Sequence, residues 1–212
     1  MKDKLTQMNY WLQRLLALVL YILALPFFSL LWLLIKFEDG GPLFFKQERM
    51  GKGKKPFIMH KIRTMVVGAE KLKEKYLHLN EADGPVFKIR NDPRYTKIGK
   101  ILTRTGLDEL PQLVNVVRGE MALVGPRPLP WDEAIKVPKR YQKRFSVLPG
   151  ITSSWVVKGS HKLGFDEWMN LDLEYVKKRS NFFDVQILFL TGWLITKWSV
   201  CRLSKCTTLK NT

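Results

Sequence analysis

The most prominent pattern in the sequence is a long apolar run near its N-terminus. Residues 15–35 read LLALVLYILALPFFSLLWLLI and include no formal charge. At about 1.5 Å per residue, a straight helix of this length reaches about 30 Å, the thickness of a bilayer's hydrocarbon core. A cleaved signal peptide is disfavoured, because the run is long and passes directly into KFED without a small-residue cleavage site. The pattern therefore predicts a membrane helix.

Pro26 lies near the middle of this run and bears on whether the helix crosses the bilayer. Proline removes a helical hydrogen bond and clashes with the preceding turn, so it predicts a sharp bend. Cations flank both ends of the run, and the positive-inside rule then favours the cytoplasm for both ends. A re-entrant helix that breaks at Pro26 and returns satisfies both observations. A spanning helix with a tolerated kink stays open as the alternative.

Two β-type runs follow, separated by a tip rich in glycine and lysine. LFFKQERM ends at Met50, PFIMHKIRTM begins at Pro56, and GKGKK lies between them, which predicts a β-hairpin. The tip lacks the G-x-x-x-x-G-K-[ST] pattern, and the third glycine of a G-x-G-x-x-G would fall on Pro56. A plain turn is therefore favoured over a phosphate-binding loop.

Apolar residues at helical spacing predict the later elements. The predicted helices are 69–79, 107–117 with Pro111 in or near its first turn, 165–179, and a core or interfacial helix over 185–195 with Trp193 and Trp198 suited to the headgroup region.

The elements combine into an α+β fold with three parts. Residues 1–39 are expected to form the re-entrant membrane anchor, and residues 40–199 a small, mostly helical cytosolic catalytic domain with a β-hairpin and interfacial amphipathic helices. Residues 200–212 form a basic tail suited to anionic lipid.

Composition and net charge limit the kinds of partner that the protein is expected to bind. The 212 residues suffice for one domain with an appendage, and their net charge of +17 indicates an anionic partner: nucleic acid, an anionic membrane face or phosphorylated small molecules. The two cysteines, Cys201 and Cys206, provide no disulfide framework and favour a reducing compartment. The three histidines lack metal-ligand spacing, so a zinc site is not expected.

Adjacent carboxylates at Asp108 and Glu109 begin the 107–117 helix and are the first candidates for chemistry. Side chains one residue apart diverge by about 100°, so the pair is not a proton-sharing dyad, and two separate roles are more plausible. An ionised aspartate can attack phosphorus, and a neighbouring glutamate can hold Mg²⁺. The purely structural alternative is that acidic residues simply favour a first helical turn.

Arg127 stands between two prolines in the sequence GPRP. The prolines restrict the backbone around one guanidinium, which suits a fixed bidentate phosphate clamp. A structural Pro-Arg-Pro loop is the alternative.

The ordered set of motifs resembles the bacterial sugar transferase family, in its minimal single-membrane-helix form. The motifs are GGPLFFKQERMGKGKKPFIMHKIRTM, DPRYTKIGKILTRTGLDELPQLVNVVRGEMALVGPRP, LPGITSSW and FDEWMNLDLEYV, and the resemblance extends over roughly residues 10–198. These are monotopic phosphoglycosyl transferases that begin polysaccharide and glycoconjugate assembly on polyprenyl phosphate.

The resemblance implies a specific reaction. Asp108 would attack the sugar-bearing phosphate of a UDP-sugar, expel UMP and pass the phosphosugar to polyprenyl phosphate, while Glu109 would hold Mg²⁺. The other implied site residues are Arg127, Arg104, Lys61 and Arg63 as phosphate-binding cations and Pro26 as the membrane-helix break. Anionic lipids and downstream glycosyltransferases are expected partners, at the cytoplasmic face of the bacterial inner membrane.

Departures from the family pattern motivate a second hypothesis. Gln13-Arg14 retains only the arginine of the usual Lys-Arg-x-x-Asp, and Leu25-Pro26 replaces Ser-Pro. Thr103 replaces an arginine, and SSWV at 153–156 and Ser160 replace Gly-Leu-Trp-Gln and another arginine. An inactive paralogue that scaffolds a polysaccharide assembly complex is the alternative. A nucleic-acid-binding role rests on charge alone and is not expected.

Overall fold

The computed structural model describes residues 2–159 and 163–208, with side chains for residues 10–159 and 163–197. The α-helices are α1 (Lys2–Asp39), α2 (Lys97–Thr105), α3 (Leu113–Arg118), α4 (Trp131–Ala134), α5 (Ser154–Val157), α6 (Phe165–Lys178) and α7 (Asn181–Thr208). The strands are β1 (Phe44–Met50), β2 (Pro56–Ile62), β3 (Ala122–Val124) and β4 (Gly150–Thr152). Short 3₁₀ helices cover Lys52–Lys54, Glu74–Leu79, Leu107–Gln112 and Lys139–Ser146. Ser160 and the side chains of Trp198 and of the predicted tail lie outside what the structure describes.

The long helix α1 continues through Pro26 as one element. Ser29 donates a hydrogen bond from its hydroxyl to the carbonyl of Leu25 at 3.3 Å, beside the proline. Within the described part of the chain, Tyr10–Asp39 is the one helix long and apolar enough to cross a membrane. The α+β class and the long apolar N-terminal helix are therefore confirmed, while the re-entrant bend stays a prediction.

One face of α1 packs against the rest of the protein along most of the helix. Its buried positions are Gln13, Ala17, Phe28, Leu31 and Ile35, and the half-buried Tyr21, Ala24 and Phe27 continue the same spacing of three or four residues between Ala17 and Leu31. Ala17 joins a core with β2 and α3. Phe28, Leu31 and Ile35 join a second core with Leu43, Ile62 and Leu102. Most of the remaining apolar side chains of α1 are exposed, Phe37, Leu23 and Trp11 most strongly. The helix therefore has a protein-facing stripe and a broad apolar outer face.

Both ends of this packed helix are tied to the same domain. Near the beginning, the buried Gln13 accepts a hydrogen bond from the backbone N–H of Leu123 at 2.9 Å. At the end, Glu38 accepts from the backbone N–H of Lys97 at 2.6 Å, where its charge also favours the N-terminus of α2. Gln13 thus provides an anchor at the end of α1 where the family motif is incomplete.

The predicted hairpin is confirmed. β1 and β2 pair antiparallel from Phe44 opposite Ile62 to Met50 opposite Pro56, and the 3₁₀ turn Lys52–Lys54 joins them. Gly53 adopts a φ of 66° there, a backbone conformation that glycine tolerates best.

Other elements differ from the sequence prediction. Only Glu74–Leu79 of the predicted helix 69–79 is helical, as a 3₁₀ turn with no buried residue, so tertiary packing does not extend it. The predicted helix 107–117 is divided into the 3₁₀ helix Leu107–Gln112 and α3, with Pro111 inside the first segment. Proline lacks the N–H that a continuous α-helix needs there.

Several further elements were not predicted, among them α2 and the strands β3 and β4, and these two strands pair in parallel. Each of these strands has only three residues, too few to show an alternating pattern. The predicted helix 165–179 is confirmed as α6, and 185–195 lies within α7, which continues past the boundary expected at residue 199. Exposed apolar side chains on α7, including Phe182, Phe189 and Trp193, give this helix an apolar outer surface like that of α1.

Candidate active site

The segment that carries Asp108 begins at a sharp turn after α2. Gly106 has a φ of 73°, in the left-handed region, and both ends α2 and precedes the 3₁₀ helix Leu107–Gln112. Asp108 is buried in the first turn of that 3₁₀ helix, while Glu109 is partly exposed. Leu107 and Leu110 pack into the same apolar core as α1, which fixes the segment on both sides of the carboxylates.

Lys61 approaches both carboxylates from β2. Its ammonium nitrogen lies 3.6 Å from Oδ2 of Asp108 and 3.3 Å from Oε1 of Glu109. Alternate residues of a strand share a face, so Lys61 continues the face that buries Phe57 and Met59 and points into the domain. The side chain of fully buried Asn115 fixes this strand, accepting from the N–H of His60 at 3.2 Å and donating to the carbonyl of Ile58 at 2.7 Å.

Arg127 completes the charged group from a different direction. It follows β3, and its guanidinium Nη2 lies 2.9 Å from Oε1 of Glu109. The structure thus brings together Asp108, Glu109, Lys61 and Arg127 from three distant parts of the chain.

Three successive backbone carbonyls of the Pro-Arg-Pro loop are hydrogen-bonded. The carbonyl of Pro126 accepts from the N–H of Gly150 at 3.0 Å, and that of Pro128 accepts from Nη1 of Arg49 at 2.9 Å. The carbonyl of Arg127 itself accepts from Nη2 of Arg144 at 2.7 Å. This loop therefore presents Arg127 from a fixed backbone.

Arg144 is held in turn by a fully buried ion pair. Its Nε and Nη2 donate to Oδ2 of Asp172 on α6 at 2.9 and 2.7 Å, and the two side chains are only 2% and 1% exposed. Sequence reasoning missed this pair. The available signal was Asp172 itself, an acidic residue seven positions after Phe165 on the apolar stripe of α6.

The two neighbouring carboxyl groups have opposite pKa shifts. Burial would raise the pKa of Glu109, but Arg127 and then Lys61 outweigh burial and lower it to about 2. For Asp108, burial dominates and raises the pKa above its ordinary value, even though Lys61 opposes the shift. Glu109 is therefore a firmly ionised, weakly basic carboxylate, and Asp108 is the more basic one.

Trp155 and Lys88 lie next to Arg127 and extend the charged group. The Arg127 guanidinium carbon lies 5.6 Å from the centre of the Trp155 ring, and Nζ of Lys88 lies 5.0 Å from it. Lys88 was not singled out from the sequence, because one lysine in a loop has no distinctive pattern.

Two other predicted phosphate-binding cations, Arg63 and Arg104, are not among the side chains that contact Asp108 or Glu109 in the described residues. The guanidinium of Arg63 forms two 2.6 Å hydrogen bonds to Asp39 at the end of α1 and also donates to the carbonyls of Pro42 and Met65, and its phosphate-binding role stays a prediction. These bonds occupy it in a structural tie, so it is not part of the group around Asp108. Arg104 is exposed near the end of α2, and its phosphate-binding role stays a prediction.

The carboxylates suit a magnesium ion only if the substrate helps to bind it. No cluster of three or more acidic, histidine or cysteine side chains is found in the described part of the chain. Glu109 is nevertheless ionised, and only its Oε1 is engaged by Lys61 and Arg127 in the described contacts. Protein sites for Mg²⁺ often supply one or two carboxylates and leave the other positions to phosphate and water. The residues present fit that kind of site.

Arg144→Met tests the buried support of the Arg127 loop. It leaves the Asp172 carboxylate buried without its partner and should lower the free energy of unfolding by roughly 3–5 kcal/mol. Denaturant unfolding of the protein in detergent micelles measures the loss, and Arg144→Met combined with Asp172→Leu should recover most of it.

The matched control joins the same two elements at the surface. Arg140 and Asp166 form a 3.0 Å ion pair with side chains 65% and 61% exposed, so Arg140→Met should lower the stability far less than Arg144→Met. Equal losses for Arg140→Met and Arg144→Met would contradict the assigned support.

Comparisons with known proteins agree on the kind of chain this is. The family model for bacterial sugar transferases matches residues 5–198. The galactosyl transferase CpsE of Streptococcus agalactiae serotype III (strain NEM316) is 43% identical over 155 residues, covering 73% of this chain and 34% of that protein. The undecaprenyl-phosphate galactose phosphotransferase of Salmonella typhimurium (strain LT2) is 34% identical over 189 residues, covering 85% and 39%. The exopolysaccharide production protein ExoY of Rhizobium meliloti (strain 1021) is 36% identical over 179 residues, covering 82% and 79%.

The matched region thus corresponds to about two-fifths or less of the first two relatives and to most of the third. The family match covers nearly the whole of the present sequence, including the segments that carry Lys61, Asp108, Glu109 and Arg127. The chain belongs to the bacterial sugar transferase family.

Proposed function

We propose that the protein transfers a sugar 1-phosphate from a UDP-sugar to polyprenyl phosphate, as the first membrane step of polysaccharide or glycoconjugate synthesis. The observation that carries the proposal is the buried Asp108 carboxylate beside Lys61, with Glu109 and Arg127 adjoining. Relatives named undecaprenyl-phosphate galactose phosphotransferase and undecaprenyl-phosphate glucose phosphotransferase support the same class of donor and acceptor.

The reaction proceeds in two displacements at one phosphorus atom. A carboxylate oxygen of Asp108 bonds to the phosphorus that bears the sugar, and the bond to the leaving phosphate breaks, so UMP departs with the bridging oxygen and its electron pair. A phosphate oxygen of the polyprenyl acceptor then attacks the same phosphorus. The aspartyl–phosphorus bond breaks, the carboxylate is restored, and the product is a sugar diphosphate on the lipid.

The opposite pKa shifts select Asp108 rather than Glu109 as the nucleophile. A carboxylate whose pKa is near 2 is a weak base with its charge already engaged by two cations. Asp108 is buried away from water and is the more basic group. Lys61 lies close enough to orient it and to offset the charge of an approaching phosphate.

Glu109 would hold Mg²⁺ together with phosphate oxygens of the substrate. The ion supplies positive charge that neutralises the diphosphate when bound. Arg127, which binds Oε1 of Glu109, adds a planar guanidinium suited to phosphate, and its fixed loop keeps that group in place.

We further propose that α1 is re-entrant and that the protein lies at the cytoplasmic face of the bacterial inner membrane. Gln13 and Glu38, near opposite ends of the helix, both bind backbone N–H groups of the same domain, which supports one side of the membrane for both ends. The apolar outer faces of α1 and α7 would enter lipid, and the basic surface would contact anionic headgroups. Downstream glycosyltransferases are the proposed protein partners.

Asp108→Asn tests the nucleophile. The amide cannot form the acyl phosphate, so release of UMP from a panel of UDP-sugars with Mg²⁺ and polyprenyl phosphate should fall by on the order of 10³-fold or more. Asp166→Asn, at an exposed position of α6, is the control and should retain activity. UMP release that survives Asp108→Asn would remove this side chain from the mechanism. The absence of turnover by the unmodified protein on every donor would instead favour the scaffold hypothesis.

The pH profile of UMP release tests the environment of Asp108. Burial raises the pKa of Asp108, and the charge of Lys61 offsets part of that rise. Lys61→Met should therefore raise this pKa further. The ionised fraction falls as the pH drops through this pKa, so the acidic limb of the profile should move to higher pH in the variant. Lys46→Met, an exposed change on β1, should leave the limb in place. An unmoved limb in Lys61→Met would contradict the assigned pairing.

Cysteine labelling tests the topology of α1. With Cys201 and Cys206 replaced by serine, single cysteines introduced by Lys4→Cys and Lys46→Cys are exposed to an impermeant maleimide on spheroplasts. Both should react only after the membrane is permeabilised. Labelling of one of them on intact spheroplasts would establish a spanning helix instead.

A further inference from the structure

One face of the Trp155 ring is directed toward the group of charged residues. Its other face stacks on Trp168, with ring centres 4.6 Å apart and planes inclined by 22°. Both indoles are buried, so this stack is a rigid wall. Lys88 and Arg127, each within 6 Å of the Trp155 ring centre, therefore approach from the side that Trp168 leaves uncovered.

Lys88 and Arg127 together bring two positive charges to one ring. Burial and then the charge of Arg127 lower the pKa of Lys88, which reports their mutual repulsion. The arrangement is suited to an anionic ligand that contacts both cations.

The backbone around Lys88 is fixed in place. The N–H of Lys88 donates to Oδ1 of Asn80 at 2.8 Å, and its carbonyl accepts from the N–H of Glu81 at 2.8 Å. The preceding N–H, of Phe87, donates to the buried Glu133 at 3.3 Å. A lysine on such a backbone starts from a fixed position, as a phosphate-binding residue requires.

Arg127 connects this pair of cations to the carboxylates. One edge of its guanidinium binds Glu109, and the group also lies over Trp155 beside Lys88. The contacts therefore form a series: Lys61 lies beside Asp108 and Glu109, Arg127 binds Glu109, and Lys88 shares the Trp155 ring with Arg127. A diphosphate is a chain of two anionic centres, and this order provides a cation for each.

We propose that Lys88 binds the second phosphate of the donor, the one that leaves on the nucleoside monophosphate, with Arg127 shared between the two phosphates. The inference rests on the proposed function and assigns a leaving-phosphate subsite made by Lys88, Arg127 and the Trp155 wall. When the bridging P–O bond breaks, the electron pair stays on the oxygen of the departing UMP, and Lys88 offsets that charge.

Lys88→Gln tests the subsite by product inhibition. Loss of one charge-assisted contact should weaken inhibition by UMP, and raise KM for the UDP-sugar, by roughly ten- to a hundred-fold. Inhibition by uridine, which has no phosphate, and KM for polyprenyl phosphate should not change. Lys88→Arg keeps the charge and should restore most of the UMP inhibition, and thermal unfolding checks that each variant is folded.

Arg90→Gln is the matched control, since Arg90 is an exposed cation two residues along the same loop. It should leave UMP inhibition as it is. Unchanged UMP inhibition in Lys88→Gln, or an equal loss in Arg90→Gln, would overturn the subsite while turnover by the unmodified protein still supports the proposed function.

Calorimetric binding of UDP provides an arm that does not depend on turnover. UDP should bind the unmodified protein and bind Lys88→Gln at least about tenfold more weakly. Equal affinity of the two proteins would reject the subsite. Absence of UMP release from the unmodified protein, together with weaker UDP binding by Lys88→Gln, would reject the transferase and retain the subsite.

Discussion

The ion pair between Arg127 and Glu109 lies where three distant parts of the chain meet. Glu109 comes from the 3₁₀ helix after α2, Arg127 from the loop after β3, and Lys61 joins them from β2. Removing a carboxylate from water is costly, and two cations at 2.9 and 3.3 Å compensate for that cost at Glu109. Asp108 receives only the weaker contact with Lys61, so burial prevails there and its pKa rises. One group of charges thus keeps adjacent carboxyl groups at different basicities.

The support of this ion pair extends into the protein through buried polar contacts. The backbone carbonyl of Arg127 is held by Arg144, and Arg144 is held by Asp172 on α6. A buried ion pair is seldom a large source of net stability, but breaking it is costly because one charge is then left alone. Its geometry here is directional, since the same guanidinium nitrogen serves both Asp172 and the loop. The packing of α6 therefore influences where Arg127 stands.

The sequence predicted elements with strong periodicity and residues with distinctive neighbours. The apolar run of α1, the hairpin and α6 repeat over many residues, while Asp108, Glu109 and Arg127 were identified by motifs. Three-residue strands have no period to read, and Pro111 divided a helix whose apolar spacing continued across it. Arg63 was placed with the substrate because basic residues cluster after the hairpin, whereas Asp39, 24 residues earlier, takes up its guanidinium. Such pairings depend on tertiary contacts between residues far apart in sequence, as those of Lys88 and Arg144 also do.

The apolar helix α1 and the segment that carries Asp108 pack directly against each other. Leu107 and Leu110, on either side of Asp108 and Glu109, pack in the same apolar core as Phe28, Leu31 and Ile35 of α1. If α1 lies in lipid as proposed, its depth sets the height of Asp108 above the lipid, because a close-packed core permits little relative movement. The Arg63–Asp39 tie acts in the same direction, since it fixes the end of α1 to the residue after β2, two positions beyond Lys61. A lipid phosphate is confined to a narrow layer, so an enzyme acting on it needs this kind of fixed height. The apolar surface of α1 and the charged site therefore belong to one packed unit, so anchoring the helix also positions the Asp108 carboxylate.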